Sequence, residues 1–203
     1  MAVQWPWSSA TPLIALRGKQ LLLRLPQMSD YEPWYKLRLD SREFLKPFEP
    51  RWSEADLSRR IFAMRVRRAR EEAEAGTDYS FFVFVLKGQQ ETLVGGITLS
   101  NVRRRAAQFV NLGYWMGQPF AGKGIMTEAV ATCLPFVFDT LDLHRIHAAF
   151  LPGNMASRRV LEKNGFVEEG FAEKYLQING RWEDHVLFGL TRERYESRRY
   201  TQR

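Results

Sequence analysis

The apolar positions of this chain change rhythm several times, and each change marks an element. Gln20 to Leu25 is a short apolar run that predicts a first strand, and a helical spacing follows around Asp30 to Leu39. Pro47 and Pro50 then interrupt the chain around Phe48. Ser53-Glu54-Ala55-Asp56 has the spacing of a capping box. Leu57, Ile61 and Met64 follow at helical intervals until Gly76 supplies a stop, which predicts a surface helix with a strongly basic outer side. Tyr79 to Leu86, Thr92 to Leu99 and Ala107 to Met116 predict three strands of an antiparallel meander, joined by the turn at Lys87-Gly88-Gln89-Gln90 and by an arginine-rich loop. Gly113 interrupts the third strand and Gly117 with Pro119 ends it. The sheet is therefore expected to bulge or splay there and leave a gap.

Past that point Ala121-Gly122-Lys123-Gly124 leads into a helix expected over residues 123–138, with Met126, Val130, Cys133 and Val137 on its apolar face. Pro135 lacks the N–H that would bond residue 131 and is expected to kink this helix or end its regular part. Ile146 to Leu151 reads as a strand. Reached through the preceding helix, it should lie parallel to the Ala107 to Met116 strand by a right-handed crossover. Asn154 is a good N-cap with Ser157 at the third helical position, and Asn164-Gly165 predicts a Schellman stop in which Phe166 folds back on Leu161. Residues 167–178 and 181–190 then predict a hairpin around Asn179-Gly180. Strands first, a βαβ unit in the middle and a closing hairpin make the class α+β.

At 203 residues, 45% hydrophobic and 26% charged, the chain suits a single globular domain over 1–203 rather than disorder. Residues 1–12 carry Trp5, Pro6, Trp7 and Pro12 without a period and read as an extended arm, which reaches residue 19 if the first strand begins at Gln20. The longest strongly apolar stretch, Phe81 to Leu86, is far below the ~20 residues a bilayer requires, and Met1 to Pro12 lacks a basic start. A cytoplasmic protein with no membrane partner and no targeting segment is expected. Cys133 is the only cysteine, so no intrachain disulfide and no multi-thiolate zinc site forms, and His144 and His147 flank a strand start where they do not share a face. No metal is expected. The net charge of +7, with arginines grouped at Arg65-Arg67-Arg68-Arg70, Arg103-Arg104-Arg105 and Arg198-Arg199, favours polyanionic partners: nucleic acid, a ribosome or an anionic cofactor.

The candidate chemistry sits in the middle of the chain. Unpaired N–H groups at a helix start carry the positive end of the helix dipole, so the glycine-containing turn before residue 125 suits a diphosphate. Gly122-Lys123-Gly124 with Thr127-Glu128-Ala129 behind it, followed by Asn154, Ser157 and Asn164-Gly165-Phe166 at their spacing, resembles the GNAT-fold acyl-coenzyme A N-acetyltransferases. Arg42 to Pro50, Leu112-Gly113-Tyr114 and Asn179 to His185 further resemble the RimJ type, which acetylates the N-terminal alanine of a ribosomal protein. The likeness covers roughly residues 20–193. Two positions depart from the family's phosphate loop: Ala121 stands where Gln or Arg is usual, and Met126 where Gly or Ala is usual.

The resemblance implies a mixed central sheet with splayed parallel strands flanked by helices, and acetyl-CoA as co-substrate. It implies that Tyr114, Trp115 and Met116 hold the pantetheine arm as a pseudo-strand, and that Gly122, Lys123, Gly124, Ile125, Met126 and Thr127 hold the diphosphate. Met126 must then point its side chain away from the phosphates. Asn154 is implied to contact the pantetheine, with Ser157 close to the sulfur as a proton donor to the leaving thiolate. Glu173, Asp184 and His185 are the candidates for taking the amine's proton. An N-terminal α-amine needs little help: freeing one at pH 7.5 costs under about 1 kcal/mol, against roughly 4 for lysine. Direct attack on the thioester, with the oxyanion on a backbone N–H of the splayed strand, is expected over an acetyl-enzyme, because Cys133 reads as a buried core thiol. The implied partner is the N-terminal segment of a ribosomal protein, with ribosome contact through the basic clusters. Acetylation of a small amine through an acidic pocket built from Glu168, Glu169, Glu173, Glu183 and Asp184 is the alternative, and a ribosome- or RNA-binding module with a vestigial cofactor site is the further one.

Overall fold

The computed structural model describes residues 14–201. Eight strands form one mixed sheet: β1 (Ala15–Arg17), β2 (Leu21–Arg24), β3 (Tyr79–Lys87), β4 (Gln90–Arg103), β5 (Phe109–Met116), β6 (Arg145–Phe150), β7 (Val167–Ile178) and β8 (Arg181–Thr191). Their order is β1-β2-β3-β4-β5-β6-β8-β7, antiparallel throughout except for the parallel pair β5–β6. Helices α1 (Tyr31–Asp40), α2 (Arg42–Leu45), α3 (Arg59–Ala75), α4 (Ile125–Pro135), α5 (Met155–Lys163) and α6 (Arg192–Thr201) complete the fold.

Each face of the sheet carries its own core. Leu21, Leu23, Phe81 and Val83 point to the side of α4 and meet Val130, Cys133 and Val137. Leu22, Phe82 and Phe84, the alternate residues of the same strands, point to the side of α1 and α3 and meet Trp34, Phe62 and Val66. Covering both faces explains why Phe81 to Leu86 of β3 is an unbroken apolar run rather than an alternation. The expected apolar face Met126, Val130, Cys133 and Val137 is buried throughout, and Pro135 does end the regular α-helix, which continues as a π-helical turn over Phe136–Thr140.

Local signals with a backbone mechanism come out as the sequence predicts. Asn179 and Gly180 both have positive φ (+46° and +83°), the signature of a type I′ hairpin turn. Gly165 has φ +86°, and the N–H groups of Phe166 and Gly165 donate to the carbonyls of Leu161 and Glu162, which is the full Schellman pair.

Several expectations are corrected. The Ser53 capping box closes only a 3₁₀ turn, Glu54–Leu57; the chain then extends at Ser58 and α3 starts afresh at Arg59. That restart shifts the helical register, so α3 buries Phe62, Val66, Ala69 and Ala73 while Met64 faces solvent. Pro47 does not simply break the chain, because it lies early in a 3₁₀ turn over Lys46–Phe48, where its missing N–H costs nothing. Helix α6 was not foreseen. Residues 1–12 of the expected arm lie outside the described residues, and Ala15–Arg17 of its inner part pair with β2. Among the described residues no helix is long and apolar enough to cross a membrane.

Candidate active site

β5 and β6 pair from Phe109 with Arg145 to Leu112 with Ala148, and there the ladder stops. β5 runs on to Met116 against β4, and β6 runs on to Phe150 against β8. Gly113 offers no side chain for a cross-strand contact, and a Cβ placed on it would meet nothing within 4 Å. The strands separate into a cavity of about 330 Å³. The N–H of Gly117 bonds the Val94 carbonyl, so by antiparallel alternation Trp115 and Gly113 bond towards β4 while the N–H groups of Tyr114 and Met116 face the opening.

Two hydroxyls meet at the cavity wall. Asn154 caps α5 by accepting from the Ser157 N–H at 3.0 Å, and this turn presents Ser157 inward, 9% exposed. The Tyr114 Oη lies 2.6 Å from the Ser157 Oγ. Burial, opposed by that hydrogen bond, pushes the Tyr114 pKa up to about 12, so the phenol keeps its proton at neutral pH. A neutral two-hydroxyl chain therefore lines the gap. Its phenol partner, reached across 43 residues of sequence, is the piece that sequence reasoning missed.

Below the gap, Gly122 and Gly124 adopt φ of +75° and +78°, and a Cβ on either would meet nothing within 4 Å. The first intrahelical bond of α4 runs from Glu128 to the Gly124 carbonyl, which leaves the N–H groups of Ile125, Met126 and Thr127 without helical partners. Lys123 is exposed beside them. The Met126 side chain is buried in the core, directed away from this cradle, while the Thr127 carbonyl accepts from the Asn164 side chain and ties α4 to α5. An open glycine turn, free donors and a neighbouring cation fit a diphosphate group. Trp115 turns to the opposite face of the sheet, where Arg38 lies 4.9 Å over its ring, and Met116 packs with Tyr114 against the α4-side core.

The proton-acceptor candidates separate cleanly. Asp184 and His185 are neighbours on β8 and so point to opposite faces. His185 is 3% exposed and lines the cavity; its Nδ1 lies 2.9 Å from the Glu183 carbonyl oxygen. A carbonyl only accepts, so the Nδ1–H donates to it and Nε2 is the ring nitrogen left outside that bond. The Asp184 Oδ1 instead accepts the Lys174 N–H at 2.9 Å, bracing a bulge in β7 where Lys174 has φ +46°. Glu173 is exposed, and neither it nor Asp184 lines the cavity. Glu168 and Glu169 are engaged by Arg158 and Arg145. Of the five acidic residues of the small-amine alternative none lines this cavity, and Glu183 alone lines the one adjoining it. Cys133 is fully buried and its thiol pKa is driven up by desolvation, which removes it as a nucleophile. Among the described residues no three His, Cys, Asp or Glu side chains cluster to hold a metal ion.

Residues 20–167 match the acetyltransferase (GNAT) domain family. The chain is 35% identical over 175 residues to a Bacillus subtilis protein named probable N-acetyltransferase YjcK, covering 86% of this chain and 96% of that one. It is 33% identical over 185 residues to the ribosomal protein uS5-alanine N-acetyltransferase of Escherichia coli, covering 91% and 94%. The solved structure of Mycobacterium smegmatis RimJ in complex with CoA-disulfide superposes with a TM-score of 0.81 at 32% identity, covering 89% of this chain and 87% of that one. The chain belongs to the GNAT acetyltransferase family. It is an acetyl-CoA-dependent N-acetyltransferase, related to the ribosomal-protein alanine acetyltransferases, and the binding-module reading with a vestigial cofactor site is set aside.

Proposed function

We propose that this enzyme acetylates the N-terminal α-amine of a protein, with the N-terminal alanine of a ribosomal protein as its acceptor. The observation that carries this reading is the composition of the cavity: the polar residues that line it, Tyr114, Asn154, Ser157, Gln177 and His185, include no carboxylate. A polyamine or aminoglycoside would leave several positive charges uncompensated there, whereas an α-amine loses its single charge at a cost of under about 1 kcal/mol. The relationship to ribosomal-protein alanine acetyltransferases supports the same acceptor class.

Acetyl-CoA supplies an acetyl thioester that the free amine attacks directly, with coenzyme A leaving as its thiol. The backbone N–H groups of Ile125, Met126 and Thr127, with Gly122 and Gly124 as open turn residues and Lys123 as the added charge, would hold its diphosphate. Tyr114 and Met116 offer their N–H groups to the pantetheine arm and to charge developing on a carbonyl oxygen, while Trp115 braces the strand from the other face through Arg38. Ser157 donates a hydrogen bond to the departing sulfur while accepting one from the Tyr114 hydroxyl, and Asn154 fixes the turn that aims Ser157; the proton lost by the amine balances the one the thiolate takes up as coenzyme A leaves. His185, through Nε2, accepts the amine's proton in place of Glu173 and Asp184. The arginines of α3 are the proposed ribosome contact, although Arg59, Arg67 and Arg68 already pair with Glu32, Glu71 and Glu72.

The test uses two peptides of one sequence, one with a free N-terminal alanine and one acetylated there but carrying an internal lysine. Thiol release with the first alone is expected; release with the lysine peptide alone would overturn the reading.

A further inference from the structure

The central cavity does not end at His185. A second, wider cavity of about 570 Å³ adjoins it: Ile178 lines both, and the segment from Pro47 to Arg51 borders both. The wall they share is one face of the β7–β8 hairpin. Register pairs Ile178 with Arg181 and Leu176 with Glu183, so Leu176, Ile178, Arg181, Glu183 and His185 all project to the same side. The hairpin tip is tied to the 47–51 segment by the Asn179 N–H, which donates to the Glu49 carbonyl at 2.8 Å. Glu49 is itself fixed by the Arg38 guanidinium and by the Trp52 indole N–H at 3.0 Å.

Charge along this wall is ordered. His185 lies on the central cavity, Glu183 follows along β8, and Arg181 lines the outer cavity together with Glu183 and Arg51. Arg38 and Arg42 nearby are committed to Glu49 and Glu54, but among the described residues neither Arg51 nor Arg181 has a carboxylate partner. Two guanidiniums against the single carboxylate of Glu183 leave this cavity with an excess positive charge that suits a carboxylate.

Strand spacing converts this into a position on the acceptor. Arg181 and His185 are four residues apart on β8, about 13 Å at ~3.3 Å per residue. An extended peptide has the same rise, so with its α-amine beside His185 its fifth residue reaches Arg181. Resting on the protein-acceptor reading above, we infer that Arg51 and Arg181 form a specificity subsite for an acidic side chain at about the fifth residue of the acceptor peptide. The subsite acts on acceptor binding and leaves the coenzyme's cradle, on the far side of the strand gap, untouched.

The experiment measures acetyl transfer by the full chain to three peptides with the same N-terminal alanine and glutamate, glutamine or lysine at the fifth residue. Glutamate is expected to give a kcat/KM about tenfold above lysine, with glutamine between, and the gap should narrow at high salt. The double variant R51E/R181E should reverse the order with the KM for acetyl-CoA unchanged. Equal kcat/KM for all three peptides, or an order unaltered in the double variant, overturns the subsite while leaving α-amine acetylation standing. Transfer to none of them, with acetyl-CoA still bound by calorimetry, overturns the peptide-acceptor reading and the subsite with it.

Discussion

The two edges of β5 have opposite characters beyond Leu112. Towards β4 the strand is pressed so closely that Gly95 and Gly96 have no room for a side chain: a Cβ on Gly95 would collide with the Trp115 carbonyl oxygen, and one on Gly96 would lie 2.5 Å from the Trp115 indole nitrogen. Towards β6 the strand has no partner, and Gly113 looks into open space. Glycine thus serves the closed edge by absence of bulk and the open edge by failing to pair. The lesson is that a binding gap in a sheet needs a rigid side as well as a free one. The N–H groups of Tyr114 and Met116 are held in place by the β4 ladder while remaining available to a ligand.

The largest expected effect breaks the closed edge. Gly95→Ala should cost about 3 kcal/mol or more in denaturant unfolding, because a backbone carbonyl and not a flexible side-chain tip stands in the way. An unchanged midpoint would show that the strands separate easily on both sides. Next comes the chemistry of the open edge: Ser157→Ala should lower kcat about 100-fold, read by thiol release, with little change in the KM for acetyl-CoA. A smaller effect is expected at the gap itself. Gly113→Val adds bulk where nothing opposes it, so folding stability should hold while acetyl-CoA binding by calorimetry weakens about tenfold.

The smallest effect concerns pH. The folded pKa of Tyr114 is raised to about 12 from the ordinary 10, so the folded state retains a proton that the unfolded state has lost between those values. Its contribution to stability is complete below pH 10 and declines as pH rises through 12. Tyr114→Phe should therefore show a shallower loss of stability between pH 10 and 12 than the parent chain; identical slopes would place the phenol in solvent.

Legibility followed the range of the interactions. The Asn154 cap, the Asn179-Gly180 turn and the Gly165 stop are local devices, and the sequence contains all their parts. The break beyond Leu112 was legible because Gly113, followed by Gly117 and Pro119, marks where a strand is weakened, and pairing with β6 stops there while pairing with β4 continues to Met116. Which of Asp184 and His185 lines the cavity was not, because strand parity puts them on opposite faces and the bulge between Ala172 and Leu176 resets that parity in the partner strand. Tyr114 and Ser157 meet only through the tertiary fold. In α3 the capping box was genuine but belonged to a separate turn, and the restart at Arg59 moved the buried stripe from Ile61 and Met64 to Phe62 and Val66. Helix α6 buries Tyr195 within a strongly charged stretch, too little apolar periodicity to announce a helix.

Residue-resolved amide hydrogen exchange, with and without acetyl-CoA, tests the central claim most directly. The N–H groups of Tyr114 and Met116 should slow on adding acetyl-CoA, together with those of Ile125 to Thr127, while Trp115, already bonded to β4, changes little. Unaltered exchange at Tyr114 and Met116 under saturating acetyl-CoA would show that the coenzyme does not occupy the opening between β5 and β6.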